Sequence, residues 1–303
     1  MPPRDRRNAV LLTTFASLIW GTSFPGVKWG LGYAGNDIFF LWLRFVVASA
    51  ATLALVLLLR RFSFKVLKDP MIWLVGSMNA GAFVAQYVGL TLTTASKTAL
   101  LVDINVIAVA ILSFFAFRER LNKVQTAGIL MGVVGIVLLT ADGGMSFAED
   151  EFLGDIIVYL SGWGWAFYIV YNKKLLSRYT AIEISTAAIV TSAFWLAAPV
   201  TYLGATGADF TIEPMAWVAI VYLGIACTSV AMLLWAMGLE GVSATASATI
   251  MLLEIVTALV ISITMLHETL EQLAIVGAAL ILAAIYLVAS TGHDAEAPAT
   301  GPA

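Results

Sequence analysis

Ten apolar runs, most of them about twenty residues long, constrain this chain more than any other feature. They lie near residues 9–32, 37–59, 70–93, 97–117, 124–141, 152–172, 182–204, 213–237, 244–266 and 272–290. Crossing the hydrocarbon core of a bilayer takes roughly 20 mostly apolar residues in a helix. Within that core every backbone polar group needs a partner from the protein, so only helices and closed barrels span it. Barrel strands are about 10 residues of alternating character, and these runs do not fit that pattern. The expected fold class is an all-α membrane protein of ten transmembrane helices. Composition agrees: 61% of the 303 residues are apolar and 12% are charged, whereas soluble domains are about 45–50% apolar.

Two stretches echo each other. Ala95–Leu121 and Ala244–Leu270 both open on small and hydroxylated residues and run through a long apolar helix. Each ends on a Glu with a Leu two positions later (Glu119, Leu121; Glu268, Leu270). The two Glu residues are 149 positions apart, about half the chain. A duplicated half-molecule follows, with a first five-helix repeat at 1–141, an acidic connecting loop at 142–151, a second repeat at 152–290 and a disordered tail at 291–303.

Charge sets the expected orientation. With the N-terminus cytoplasmic, Arg4, Arg6, Arg7, Arg60, Arg61, Lys65, Lys68, Arg118, Arg120, Lys123, Lys173, Lys174 and Arg178 all fall inside, and only Lys97 falls outside. That is the positive-inside bias. The connecting loop is acidic, with Asp142, Glu149, Asp150 and Glu151. The N-terminal arginines read as the flank of an uncleaved first helix. Five helices per half is odd, so the second half enters from the opposite side. The expected architecture is two inverted repeats with both termini cytoplasmic.

Polar residues inside such helices mark candidate sites. Run 1 carries Trp20, Gly21, Thr22, Phe24, Pro25 and Lys28. It reads as a kinked helix beside a polar cavity, with Lys28 either a fixed cation there or snorkelling to headgroups. In run 2, Arg44 reads as a structural clamp on carbonyls or on Asp37, and Asp103 as a static partner of Arg44 or Lys28. In run 3, Asn79, Phe83 and Gln86 share a face that either lines a cavity or ties helices together. Run 4 holds Asp103 and Asn105, and run 9 holds Glu254 near mid-membrane; the two carboxylates are candidates for substrate contact or proton coupling. In run 5, Gly128, Gly132 and Gly135 allow close packing, within the chain or across a dimer. Run 6 places Trp163, Trp165 and Tyr168 as core or as a solute wall. Glu119 and Glu268 suit the starts of runs 5 and 10, Thr269 opens a capping box, and His267 lies at the outer rim. No metal cluster, cofactor site or phosphate-binding loop is expected.

Together these residues resemble the drug/metabolite transporter superfamily, in particular its EamA-type ten-helix exporters. The resemblance rests on Trp20-Gly21-Thr22-Ser23-Phe24 with Lys28, on Leu43-Arg44-Phe45, on Trp165-Ala166, and on the junctions at 118–121 and 267–270. It implies export of amino acids or related small metabolites through the inner membrane. It also implies a cavity lined by helices 1, 3, 4, 6, 8 and 9. The mid-helix prolines common in that family are replaced by Val106 and Ile255, which removes the simplest cause of a bend in helices 4 and 9.

The functional expectation is a secondary active or facilitative transporter, working by alternating access, rather than an enzyme. The alternative is a proton-coupled exporter of lipophilic cations, with a passive channel or an intramembrane enzyme as lesser rivals. Its partners would be a small-molecule substrate and the lipid bilayer, not nucleic acid. It would act as a monomer or homodimer.

Overall fold

A computed structural model describes residues 5–60, 62–92, 101–103, 105–118, 121–141, 152–266 and 272–290. The expectations for Lys97, Glu119, His267, Glu268, Thr269, the loop 142–151 and the tail 291–303 fall outside the described residues.

The described chain is helical, with no strand among the described residues beyond one isolated bridge between Ala34 and Ile212. Run 1 forms α1 (Arg6–Gly21) and α2 (Ser23–Leu31); α3 is Asp37–Leu58 and α4 is Pro70–Leu92. Next come α5 (Asn105–Phe117), α6 (Lys123–Ala141), α7 (Phe152–Leu175) and α8 (Ala181–Ala205). Run 8 is α9 (Pro214–Tyr222), a π-helical segment Leu223–Val230 and α10 (Ala231–Leu239). Run 9 divides into α11 (Ala244–Met251) and α12 (Leu253–Leu266), and α13 is Gln272–Ser290. Six helical stretches are long and apolar enough to cross a membrane, and four shorter apolar ones accompany them.

Local chemistry sets the helix starts. Asn36 accepts from the amides of Ile38 and Phe39, both at 3.0 Å. Thr180 and Glu183 form a reciprocal capping box at α8. Asn122 and Gln125 do the same ahead of α6, each side chain bonded to the other's backbone amide. Pro70 and Pro214 occupy first helical positions, where a missing N–H costs nothing. Asn36 to Thr180 and Pro70 to Pro214 are each 144 residues apart.

Packing interleaves the two halves. α1 packs on α10 and α12; α7 packs on α4 and α5. α3 packs on the π segment and α8, α4 on α8, α5 on α11, and α6 on α13. Lipid removes most of the hydrophobic drive between such helices, so close approach through small residues matters more. The run 5 glycines supply it within the chain. A Cβ on Gly128 would sit 2.7 Å from Val288 Cγ2, and one on Gly135 would sit 2.7 Å from the Gly277 carbonyl.

The loops are tied at two places. Gly35 N donates to Thr211 O at 2.9 Å and Glu213 N to Tyr33 O at 3.1 Å, with Phe39 stacked on Phe210. Elsewhere, Arg178 pairs with Asp69 at 3.4 Å, and the Tyr179 hydroxyl donates to the same Asp69 oxygen.

Candidate functional site

Three interrupted helices converge beside two carboxylates. α1 stops at Gly21, and Thr22 turns its hydroxyl back onto the Ile19 carbonyl at 2.7 Å. The same hydroxyl meets Tyr222 Oη and approaches Cys227 Sγ. Trp20 Nε1 donates to the Cys227 carbonyl at 2.7 Å, which docks the break of α1 on the π segment.

The second interruption lies at Leu252, between α11 and α12. Here the expectation drawn from the absent proline needs correcting. Ser17 of α1 donates to the Met251 carbonyl at 2.8 Å and lies 3.4 Å from the Ile250 carbonyl. A hydroxyl from a neighbouring helix takes up carbonyls released at the break, so no ring is needed. The equivalent position in run 4, by the same 149-residue offset, is Asp103, whose neighbour Ile104 lies outside the described residues.

Gly21 is where α1 and α12 touch. A Cβ there would stand 2.5 Å from Thr257 Cβ and 2.6 Å from the Glu254 carbonyl. Glu254 in turn interacts electrostatically with Asp103. Asp103 is 4% exposed and Asn105 8%. The structure therefore brings the α1 break to Glu254, with Asp103 near Glu254 and Asn105 buried at the start of α5, which packs on α11.

An aromatic path continues from there. Trp20 lies 6.3 Å from Trp235, Trp235 stacks on Tyr168 at 5.5 Å, and Tyr168 meets Trp165 edge-on at 5.9 Å. Trp165 contacts Phe83 at 4.7 Å, and Phe83 contacts Phe45 at 5.1 Å. Trp235 is fully buried, with its indole N–H on Ser247 Oγ at 3.0 Å. Sequence reasoning assigned Trp235 no role, because its position depends on helices far apart in sequence. Trp163 is half-buried on α7, next to Gly162, which abuts the carbonyls of Leu101 and Val102.

Several expected residues are placed elsewhere. Lys28 is exposed in the last turn of α2 and is not in the Asp103–Glu254 cluster, which favours its snorkelling role. Asn79 is buried and donates to Ser192 Oγ at 2.9 Å, so it ties α4 to α8. Gln86 is half-buried on α4. The side chain of Phe24 lies outside the described residues.

The expected Arg44–Asp103 ion pair is not found among the described residues. Arg44 Nε instead donates to Thr228 Oγ1 at 2.8 Å, and its guanidinium lies over the Phe83 ring at 5.2 Å. Thr228 reaches back to the Leu223 carbonyl at 2.9 Å, a bond five residues long that belongs to the π segment. The Cys227-Thr228-Ser229 run within an apolar helix was the available signal for this contact.

A separate groove of about 430 Å³ lies between α4, α7 and α8. Ser77, Gly81, Val84, Ile157, Trp195 and Pro199 line it. Neither carboxylate of the cluster reaches it, and its lining is largely apolar.

Interrupted apolar helices around buried ionisable groups define a multi-pass membrane protein of the transporter class. The chain belongs to the EamA-like transporter family, whose model matches residues 7–141 and again 152–290. It is 26% identical over 290 residues to an uncharacterized transporter of Archaeoglobus fulgidus, covering 94% of this chain and 98% of that one. It is 28% identical, over 97% of its length and 98% of the relative's, to a probable terminal-alkyne amino-acid exporter of Streptantibioticus cattleyicolor. A probable amino-acid metabolite efflux pump of Escherichia coli is 25% identical, over 93% of this chain and 95% of the pump. A crystal structure at 21% identity shares the fold, with a TM-score of 0.79 over 93% of this chain and 96% of that one.

Proposed function

We propose that the chain exports amino acids or related small metabolites across the cell inner membrane, as a secondary transporter working by alternating access. The observation that carries this reading is the meeting of the α1 break, the π segment and the α11–α12 break beside Asp103 and Glu254. Broken helices at mid-membrane are how many carriers expose backbone and side-chain groups to a solute. The names of the relatives from Streptantibioticus cattleyicolor and Escherichia coli support the solute class.

Ten spans in two inverted halves, with both termini cytoplasmic, complete the proposal. Exchanging runs 1–5 with runs 6–10 turns each inter-half packing pair into another such pair. α1 on α10 becomes α7 on α4, and α3 on the π segment becomes α8 on α4. The contacts α3–α8, α5–α11 and α6–α13 map onto themselves. The two loop ties exchange as well, since Asn36 corresponds to Thr180 and Pro70 to Pro214. This pattern is what a two-fold axis relating the halves would produce.

Asp103 and Glu254 would carry the coupling proton, because neighbouring carboxylates in a poor dielectric repel when both are charged. The test is counterflow of labelled amino acids in liposomes, with and without a pH gradient. Trans-acceleration is expected, and Glu254→Gln should abolish the response to the gradient while exchange persists. Uncoupled, non-saturable flux would instead mean a channel. Transport of lipophilic cations in place of amino acids would favour the rival reading, for which the aromatic path beside carboxylates speaks.

A further inference from the structure

Arg44 poses a problem that the proposed export activity answers. It is 3% exposed and sits two turns inside α3, within a membrane-spanning helix. A buried cation is costly unless a counter-charge or a full set of acceptors meets it. Among the described residues no carboxylate lies within ion-pair distance of it. Arg178–Asp69, by contrast, is an ion pair they do contain.

The groups facing Arg44 come from three segments. Asp37 stands two turns away on its own helix. Phe83 and Tyr87 face it from α4, and Thr228 and Cys227 from the π segment. Thr228 accepts one N–H but is neutral, and its own proton goes to the Leu223 carbonyl. Tyr87 Oη lies beside the guanidinium, buried and in no hydrogen bond of good geometry. A guanidinium has five N–H donors; Nε is committed to Thr228, and beyond Tyr87 Oη no acceptor for the other four is found among the described residues. Phe83, which the guanidinium covers, belongs to the aromatic path that leads to Trp20.

We propose that Arg44, held in orientation by Thr228 and Phe83 and assisted by Tyr87, receives the carboxylate of the transported solute. This rests on the export reading above and narrows its substrate class to carboxylate-bearing molecules. The planar fork of arginine matches a carboxylate through two parallel hydrogen bonds, which an ammonium would not reproduce. The π segment supplies the geometry, since its wider turn aims Thr228 Oγ1 at Arg44 Nε; such segments occur often at functional sites. The adjoining rings of Phe83 and Trp165 offer a surface for an apolar side chain.

The test compares L-phenylalanine, L-leucine and L-threonine with their carboxamides, which keep the ammonium and side chain and lose the negative charge. Binding to purified wild-type protein is read from intrinsic tryptophan fluorescence, and transport from competition against counterflow in liposomes. The acids that bind should do so about tenfold or more tightly than their amides. Arg44→Gln should erase that preference, and Arg44→Lys should keep part of it. Equal affinity of acid and amide in the wild type overturns the proposal without recourse to any variant. So does a preference that survives Arg44→Gln. Acids and amides exported alike would leave the export reading intact while removing Arg44 from it. A panel in which nothing is bound or carried would remove both.

Discussion

Ser17 and Met251 are 234 positions apart in the chain, yet the hydroxyl of one lies 2.8 Å from the carbonyl of the other. That bond joins α1 to the interruption between α11 and α12. It lets run 9 break without the proline on which related carriers commonly rely. Ser17→Ala would leave buried carbonyls unsatisfied, at a cost of about 1–3 kcal/mol. Thermal unfolding in detergent should show the lowered midpoint, and Ser17→Thr should recover most of it.

The crossing of α1 and α12 tolerates no added atom at Gly21. Gly21→Ala should lower both thermal stability and transport, because its methyl would meet Thr257 and the Glu254 carbonyl. Gly81 is the control: nothing lies within 4 Å of a Cβ built there. Gly81→Ala should be neutral or stabilise by up to about 1 kcal/mol, as helix propensity dictates. Parallel melting curves and counterflow rates decide the comparison.

Thr228 holds both the Arg44 side chain and a carbonyl of the π segment. Thr228→Val conserves volume but strips Arg44 of its acceptor, with an expected loss of about 1–3 kcal/mol. Thr228→Ser should behave nearly as wild type. Equal stability of the valine and serine variants would mean that the hydroxyl does not matter.

Acid should loosen the loop that carries Asp209 only at low pH. Hydrogen bonds from the Thr211 hydroxyl and amide hold the Asp209 carboxyl below the usual carboxylate range. A depressed folded value means that the contribution is present above the unfolded value, near pH 4, and is lost as pH falls through the folded one. Limited proteolysis at 206–213 should therefore be constant from pH 7 to about pH 5 and rise only below about pH 4. Asp209→Asn should weaken that late acid step.

Much of the architecture was legible in the residue order. The apolar runs located the helices, because hydrocarbon permits little else at that length. Gly21 and Pro25 marked the break in run 1, and the glycines of run 5 announced a close neighbour. The candidate site was less legible. Asp103 and Glu254 were each suspect on their own, but their mutual proximity is a matter of packing between halves. Trp235 gave no signal, since its importance lies in touching Trp20 and Tyr168. The meeting of Arg44 with Thr228 and Phe83 was not legible, because depth in the membrane orders residues along one axis only. Two groups at equal depth can still lie on different sides of a helix bundle.

The length and composition of the apolar runs alone determined that the chain is a helical membrane protein with suspect ionisable groups. Those properties depend on each segment's own transfer from water to lipid. Which groups meet was decided by the interleaved packing of α1, α3, α4 and α5 with α7, α8, α10 and α12. Contacts between residues a hundred or more positions apart depend on helix rotation and close approach. In lipid these are set by shape and hydrogen bonding rather than by hydrophobicity, and apolar patterning along one helix carries no record of them.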